Sequence, residues 1–404
     1  MTEFKATEEG PGGKAYRRIV TASCICVLCI ILIAGLWPLH ALNNKVSWLK
    51  DKNGLSFGKH GSIFSAGTFR NSDSRDDTSY SLEIWLEPSR VDDNKTILSF
   101  DGSEHLGDPF TLQQHKDGLR ILRHNVDEQG IARTTWFKVD HVFSENKPVF
   151  VTITLGERET SVYLDKVLAK VSPLLGTSRN NFTGRLVVAD SPTNSYNWSG
   201  RILGLALYDR QLTPAQVMQQ YESWTKTQRP ALSEDEAPAA LYLFNERTGA
   251  VAHNQLDSAT DLIIPTHYFV LHPSFLLAPW REYKPTWSYW QDVSVNVAGF
   301  IPLGFCFAAY FSSVQVINRP KSTTIALGLV ISFAIEILQS FLPTRSSGTT
   351  DLVTNTLGTA IGLVLYGCSF TQGLLAKASH RLAGFLGESS QGEETRSTEV
   401  VSAA

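Results

Sequence analysis

The chain has 404 residues, 43% of them hydrophobic, with 36 Lys and Arg against 39 Asp and Glu for a net charge of -3. That balance, with a pI of about 6.4, excludes the basic surface of a nucleic-acid-binding protein. All five cysteines (Cys24, Cys26, Cys29, Cys306, Cys368) lie in apolar end segments, so no disulfide framework holds the middle of the chain.

Behind a tail at 1–18 with Lys14, Arg17 and Arg18, the run Ile19–Leu39 carries no charge. It is long enough to span a bilayer and long for a cleaved signal, and Leu39-His40-Ala41 is a poor cleavage site. It reads as an uncleaved first transmembrane helix, 19–39.

Residues 45–250 carry a β pattern. Ser81 to Leu86, Leu119 to Arg123, Val149 to Leu155 and Leu203 to Tyr208 alternate with period two, between Gly, Asn and Asp turns. This predicts an all-β sandwich or jelly roll. One helix follows Thr213, with Pro214 in its first turn and Gln216 completing a capping box.

Residues 251–291 read as an interfacial linker. Leu262 to Trp280 lacks Asp, Glu, Lys and Arg, but Pro265, Pro273 and Pro279 argue against a spanning helix. It is expected to lie on the outer membrane surface, with Trp280, Tyr283, Trp287, Tyr289 and Trp290 as an aromatic belt.

Three further runs at 293–317, 322–342 and 352–370 complete a predicted bundle of four transmembrane helices. The positive-inside rule puts both termini in the cytoplasm: the N-terminal cluster, Arg319 and Lys321, and Lys377 and Arg381 agree. The fold class is therefore multi-domain, an α-helical membrane bundle with an extracytoplasmic jelly roll inserted after the first helix and residues 40–291 outside. The tail 371–404 is cytoplasmic and ends in a polar, disordered stretch.

Glu336 is the one charge in an otherwise apolar run, and a carboxylate at membrane depth is costly and rarely idle. On the deduced topology Asp292, Asn296, Glu336, Gln339, Arg345, Asp351 and Asn355 all fall near the outer interface. Asp292 and Asp351 are expected to open their helices. The set reads as a polar pocket suited to an anionic headgroup, with Arg345 as partner of a carboxylate, or to acid–base chemistry by Glu336, the candidate catalytic residue. The alternative is structural: caps, helix–helix amide bonds, and Glu336 neutralising Arg345.

Two resemblances sharpen this reading. Ser81-Leu82-Glu83-Ile84-Trp85-Leu86-Glu87-Pro88, Gly200-Arg201-Ile202 through Thr213, and Leu241 to Gly249 resemble LamG-like, concanavalin A-type jelly rolls over about 200 residues. Laminarinase-type members pair two such glutamates with an Asp between. Here Trp85 stands between Glu83 and Glu87, which argues against hydrolysis. The simple expectation is Trp85 in the core and both glutamates outside. A glycan- or protein-binding role is open, and no cofactor is expected. Calcium, an option for such folds, has only Asp92-Asp93-Asn94 and Asp73, Asp76, Asp77 to offer. Asn94, Asn181 and Asn197 begin glycosylation sequons.

Residues 292–370 resemble the VanZ-like family, through Asp292 to Phe305, Glu336 to Arg345 and Asp351 to Gly358. The family is named for a protein linked to teicoplanin resistance. The resemblance implies a bacterial cytoplasmic-membrane protein acting at the cell envelope, with membrane lipids and an envelope glycan, glycopeptide or protein as partners. It supplies no established reaction. The alternatives are a membrane enzyme acting on a lipid-linked substrate and a purely structural protein.

Overall fold

The structure is a computed structural model. It describes residues 11–37, 42–70, 79–92, 94–102, 110–126, 132–173, 182–193, 196–231, 237–273, 275–283, 285–314, 317–342, 345 and 347–368. Asp73, Asp76, Asp77, Asp93, Asn181, Lys377, Arg381 and the tail 371–404 lie outside the described residues. The chain divides into two compact units, His40–Pro273 and Met1–Leu39 with Ser274–Ala404.

The first unit is a sandwich of two antiparallel sheets. Its strands are β1 (Val46–Trp48), β2 (Leu55–Phe57), β3 (Ile63–Ser65), β4 (Tyr80–Pro88), β5 (Lys95–Asp101), β6 (Phe110–His115), β7 (Gly118–Val126) and β8 (Ala132–Val139). They continue as β9 (Val149–Leu155), β10 (Thr160–Leu164), β11 (Val167–Ser172), β12 (Arg185–Val188), β13 (Gly200–Tyr208), β14 (Ala240–Tyr242), β15 (Val251–Ala252) and β16 (Leu262–Ile263). One sheet runs β1-β2-β13-β4-β9-β10-β11, with β14 also on β13; the other runs β15-β16-β3-β12-β5-β6-β7-β8.

Side chains of period two fill the space between the sheets. On β4, Leu82, Ile84 and Leu86 point inward and meet Phe100, Phe110, Leu112 and Trp198. Each such buried side chain contributes roughly 1.5–3 kcal/mol. The residues of opposite parity, Glu83, Trp85 and Glu87, share the other face, so Trp85 and the glutamates cannot lie on opposite sides as expected. That face is not solvent. Helix α2 (Pro214–Thr227) packs there, with Phe150, Tyr163, Tyr208, Val217, Trp224 and Leu241 forming a second apolar layer.

The sequence sets α2 locally. Thr213 Oγ1 accepts from Gln216 N and Gln216 Oε1 accepts from Thr213 N, the expected capping box, and Pro214 starts the helix. The β13–β4 register slips between Ile202 and Gly204, and the Trp224 ring lies over Gly204, where any Cβ would meet it.

The sandwich runs on past residue 250. β16 pairs with β3, and Tyr268 is buried, so part of the stretch expected on a membrane surface belongs to this unit. The two ends of the unit lie side by side: Asn43 bridges His267, Asn44 N donates to Thr266 O at 3.0 Å, and Tyr268 N donates to Leu42 O at 2.8 Å.

The second unit is helical. It comprises α1 (Pro11–Leu36), the short α3 (Pro279–Glu282), α4 (Trp287–Ser313), α5 (Pro320–Ser340) and α6 (Thr349–Gly367). α4 starts earlier than expected because Thr286 Oγ1 accepts from Tyr289 N and caps it. Asp292 therefore sits in the second turn of the helix rather than opening it.

Among the described residues three helical stretches are long and apolar enough to cross a membrane: Tyr16–Leu36, Trp287–Ser313 and Pro320–Ser340. The fourth expected span, at 352–370, corresponds to α6. Its Thr349, Thr350, Asp351, Thr354, Asn355 and Thr356 leave its N-terminal half too polar to qualify. The unit has inverted polarity: Thr324, Ser332, Glu336, Gln339, Asn355 and Thr359 are buried, whereas Val330 is 61% exposed and Trp287 84%. That distribution suits a hydrocarbon surround.

Small residues bring α4 and α6 together. A Cβ on Gly358 would run into the Val297 carbonyl, and one on Gly362 into the Ile301 carbonyl, so the backbones touch along this seam. α1 packs through Ile31 against Phe300, Leu303 and Ile335.

Candidate functional site

Glu336 is 1% exposed, four residues from the end of α5. Its Oε2 accepts from Gly348 N at 2.8 Å, and the Ser347 hydroxyl also bonds its carboxylate. Gly348 is the N-cap of α6, so Glu336 satisfies the cap residue's own N–H and ties α5 to α6. A carboxylate also suits the positive end of the helix dipole.

A second carboxylate works at the same place. Glu282, at the end of α3, accepts from Thr350 N at 3.0 Å. α3 is held there by backbone pairing: Leu277 N donates to Ser347 O at 3.1 Å, and Thr349 N donates to Leu277 O at 3.0 Å.

Asp351 in the first turn of α6 accepts from Asn296 Nδ2 of α4 at 2.7 Å. Its charged neighbours are Glu282, Asp292 and Arg345. One turn deeper, Asn355 Nδ2 donates to Ser332 Oγ of α5 at 3.0 Å, while Asn355 Oδ1 is buried with no hydrogen bond to another described residue.

The remaining expected members tie down α1. Gln339 Nε2 donates to Gly35 O at 2.8 Å, and Arg345 Nη2 to Trp37 O at 3.1 Å. Glu336 meets a backbone N–H, not Arg345; among the described residues Arg345 makes no ion pair. So Glu336, Asp351, Asn296, Asn355 and Asp292 gather around the start of α6, and Gln339 and Arg345 flank it along α1.

Sequence reasoning missed Glu282, Ser332, Ser347 and Gly348. Glu282 had one signal, a lone acid inside the aromatic stretch Trp280 to Trp290. The others act through backbone or a single hydroxyl, which leave no pattern.

Four carboxylates (Glu282, Asp292, Glu336, Asp351) thus stand with one guanidinium among the described side chains. They grade inward, from exposed Asp292 through half-buried Glu282 and Asp351 to buried Glu336. The arrangement can accept hydrogen bonds and positive charge. Among the described residues no group of three or more His, Cys, Asp or Glu is arranged to hold a metal ion.

In the sandwich, Glu83 is 0% exposed under α2; its Oε2 accepts from Tyr208 Oη at 2.8 Å and Trp224 Nε1 at 3.0 Å. Burial pushes its carboxyl up to about 7, against those two hydrogen bonds. Glu87 is taken by Arg201 at 2.6 Å and Lys52 at 3.1 Å. Both glutamates are structural, in keeping with the missing Asp between them. Asp190 is also buried, accepting from Tyr268 Oη at 2.6 Å, and burial pushes it up to about 7.

Fold and site together define a two-part protein, a jelly roll set into a helical unit of membrane-like polarity. Residues 218–370 match the VanZ/LLP1 family model, and residues 62–218 match that of the concanavalin A-like lectin/glucanases superfamily. The chain therefore joins a VanZ-like C-terminal part to a LamG-like jelly roll.

Protein VanZ of Enterococcus faecium is 38% identical over 79 residues, 20% of this chain and 46% of that protein. The chain thus spans about half the length of this curated relative. Among solved structures, a candidate carbohydrate binding protein from Bacteroides ovatus is 15% identical, with a TM-score of 0.38 over 54% of this chain and 61% of that one. The heptameric SAP-like pentraxin of Limulus polyphemus is 12% identical, with a TM-score of 0.33 over 55% and 93%.

Proposed function

We propose that this chain is a bacterial cytoplasmic-membrane protein that binds an envelope component, a lipid headgroup or a glycopeptide, at the polar cluster around the start of α6. In this reading α1, α4, α5 and α6 all lie in the bilayer, with both termini cytoplasmic and residues 40–291 outside. The jelly roll recruits an envelope glycan or protein. The observation that carries the proposal is Glu336: a carboxylate 1% exposed, aligned with Asp351 and Glu282 at one helix end, in a unit whose outer surface is apolar.

An anionic headgroup is the expected ligand, with Arg345 as its cationic contact; among the described side chains the four carboxylates also suit a zwitterionic headgroup. A membrane enzyme using Glu336 as acid or base is the second reading. Its support is the burial of Glu336 beside other carboxylates.

Glu336→Gln in the full-length protein tests the site. It replaces a charged acceptor worth about 1.5–3 kcal/mol by a weaker one, so ligand affinity falls by about tenfold. In a bacterial host the expected result is altered glycopeptide susceptibility with normal membrane insertion. If susceptibility and insertion both stay as in the parent, the cluster is structural only.

A further inference from the structure

The sheet that ends in β8 has a face the core does not use. On β7 and β8, Leu119, Ile121, Phe137 and Val139 point into the sandwich, so Arg120, Leu122, Thr134, Trp136 and Lys138 stand on the outer side. The register sets Trp136 beside Leu122 and Lys138 beside Arg120, with Gln113 of β6 next in that row. Trp136 is 53% exposed.

Arg120 is held against it. Its guanidinium carbon lies 5.0 Å from the Trp136 ring centroid, and its Nη1 donates to Asn94 Oδ1 at 3.2 Å. Asn94 is itself positioned by a left-handed backbone, φ 54°, and by His115 Nδ1 at 3.1 Å. Among the described residues Arg120 makes no ion pair and its Nη2 no hydrogen bond. Lys138 pairs with Asp140 at 2.6 Å, and Lys170 of β11 donates to the Lys138 carbonyl. Three cations against one acid leave this described surface with a positive excess. β8 and β11 are the last strands of their sheets, whereas the unit's two chain ends pair next to β1 and β16, at the other end.

We propose that this face binds an acidic envelope glycan, one sugar ring lying on Trp136 and its carboxylate or phosphate on Arg120. The electron-rich face of an indole receives the C–H groups of a sugar's flat side. A guanidinium keeps its charge and matches either anion with a planar fork of donors, and here it is already oriented by Asn94 and the ring. A neutral sugar would leave Arg120 and Lys170 unmatched. A protein partner would need about 800 Å² with an apolar centre, whereas Trp136 stands among Thr134, Arg120 and Lys138. The inference rests on the reading above that the jelly roll recruits an envelope glycan.

The test uses full-length protein in neutral-detergent micelles. It is titrated calorimetrically with trigalacturonate, with the methyl ester of trigalacturonate, with a glucosylated poly(glycerol phosphate) and with polyglutamate. The acid is expected to bind about tenfold or more tightly than its ester. Trp136→Ala should weaken both acidic glycans about tenfold, and Trp136→Phe should keep most of the affinity. Arg120→Gln should remove the difference between acid and ester, and Arg120→Lys should restore part of it. Gel filtration and circular dichroism check each variant's fold. The tighter of the two acidic glycans identifies the source of the charge, carboxylate or phosphate.

Acid and ester binding alike, or binding unmoved by Trp136→Ala, overturns this site and leaves glycan recruitment by the sandwich standing. Polyglutamate binding as tightly as trigalacturonate makes the face a docking surface for acidic protein and overturns the glycan assignment. No binding by any glycan overturns both.

Discussion

Glu83 shows what a buried carboxyl does when its surroundings are almost satisfied. Its Oε2 has two donors, Tyr208 and Trp224, while Oε1 is buried with no donor among the described residues. Burial outweighs the donors and raises its pKa from 4.5 to about 7. A carboxyl whose pKa is raised on folding stabilises the fold fully below its unfolded pKa. That contribution is lost as pH rises through the folded value. The window is therefore about 4.5 to 7, and the full shift is worth roughly 3 kcal/mol. Thermal unfolding of the sandwich should show a melting temperature that falls from pH 5 to pH 8, with Asp190 acting in the same direction. Glu83→Gln should flatten the Glu83 share of that slope; an unaltered slope would mean that Glu83 is not the titrating group. Trp224→Phe, which removes one donor, should weaken α2 docking by about 1–3 kcal/mol, read as earlier loss of near-UV signal. Residue identity made Glu336 legible, since one charge in an apolar run stands out. Its partner was not legible, because the Gly348 N–H belongs to a loop backbone and any residue there would carry it.

At the scale of elements, α4 and α6 depend on what they lack. Gly358 and Gly362 let α6 lie against the Val297 and Ile301 carbonyls of α4. Gly362→Leu would have to separate two backbones, costing upwards of about 3 kcal/mol. The expected result is a helical unit that loses its fold in detergent, seen as aggregation on gel filtration, while the sandwich keeps its β signal. The capping box of α2 could be read in advance, because Thr213, Pro214 and Gln216 each have a fixed place at a helix start. The extent of α6 was harder: the polar residues between Thr349 and Thr356 lower its apolar content, so the helix falls short of the expected span. The face of β4 was misread for a simpler reason. Residues 83, 85 and 87 share a parity, and only the presence of α2 turns that outer face into a second interior.

The whole molecule alternates two kinds of interior. The sandwich hides hydrocarbon, with Phe100, Phe110 and Trp198 inside, and the helical unit hides Glu336, Asn355 and Thr359. Apolar clustering at the ends of the chain and charge in its middle announced both, because a protein must match each surface to its solvent. The sandwich alone, residues 42–273, is expected to be soluble without detergent and to give a β-type circular dichroism spectrum; recovery only in detergent would contradict the division into units.

The pairing of Asn43 with His267 has a consequence for how such a chain arises. A long flexible insertion would tax the closure of α1 onto α4, by an amount that grows with the logarithm of its length. Here the incoming and outgoing strands are already zipped together by Asn44 with Thr266 and Leu42 with Tyr268. To the helices, more than two hundred residues count as a hairpin's width of slack. Such an insertion can be gained or lost as a cassette, leaving the host fold's connectivity intact. Replacing residues 42–268 by a short Gly-Ser linker should accordingly leave the helical unit folded and its acid cluster able to bind.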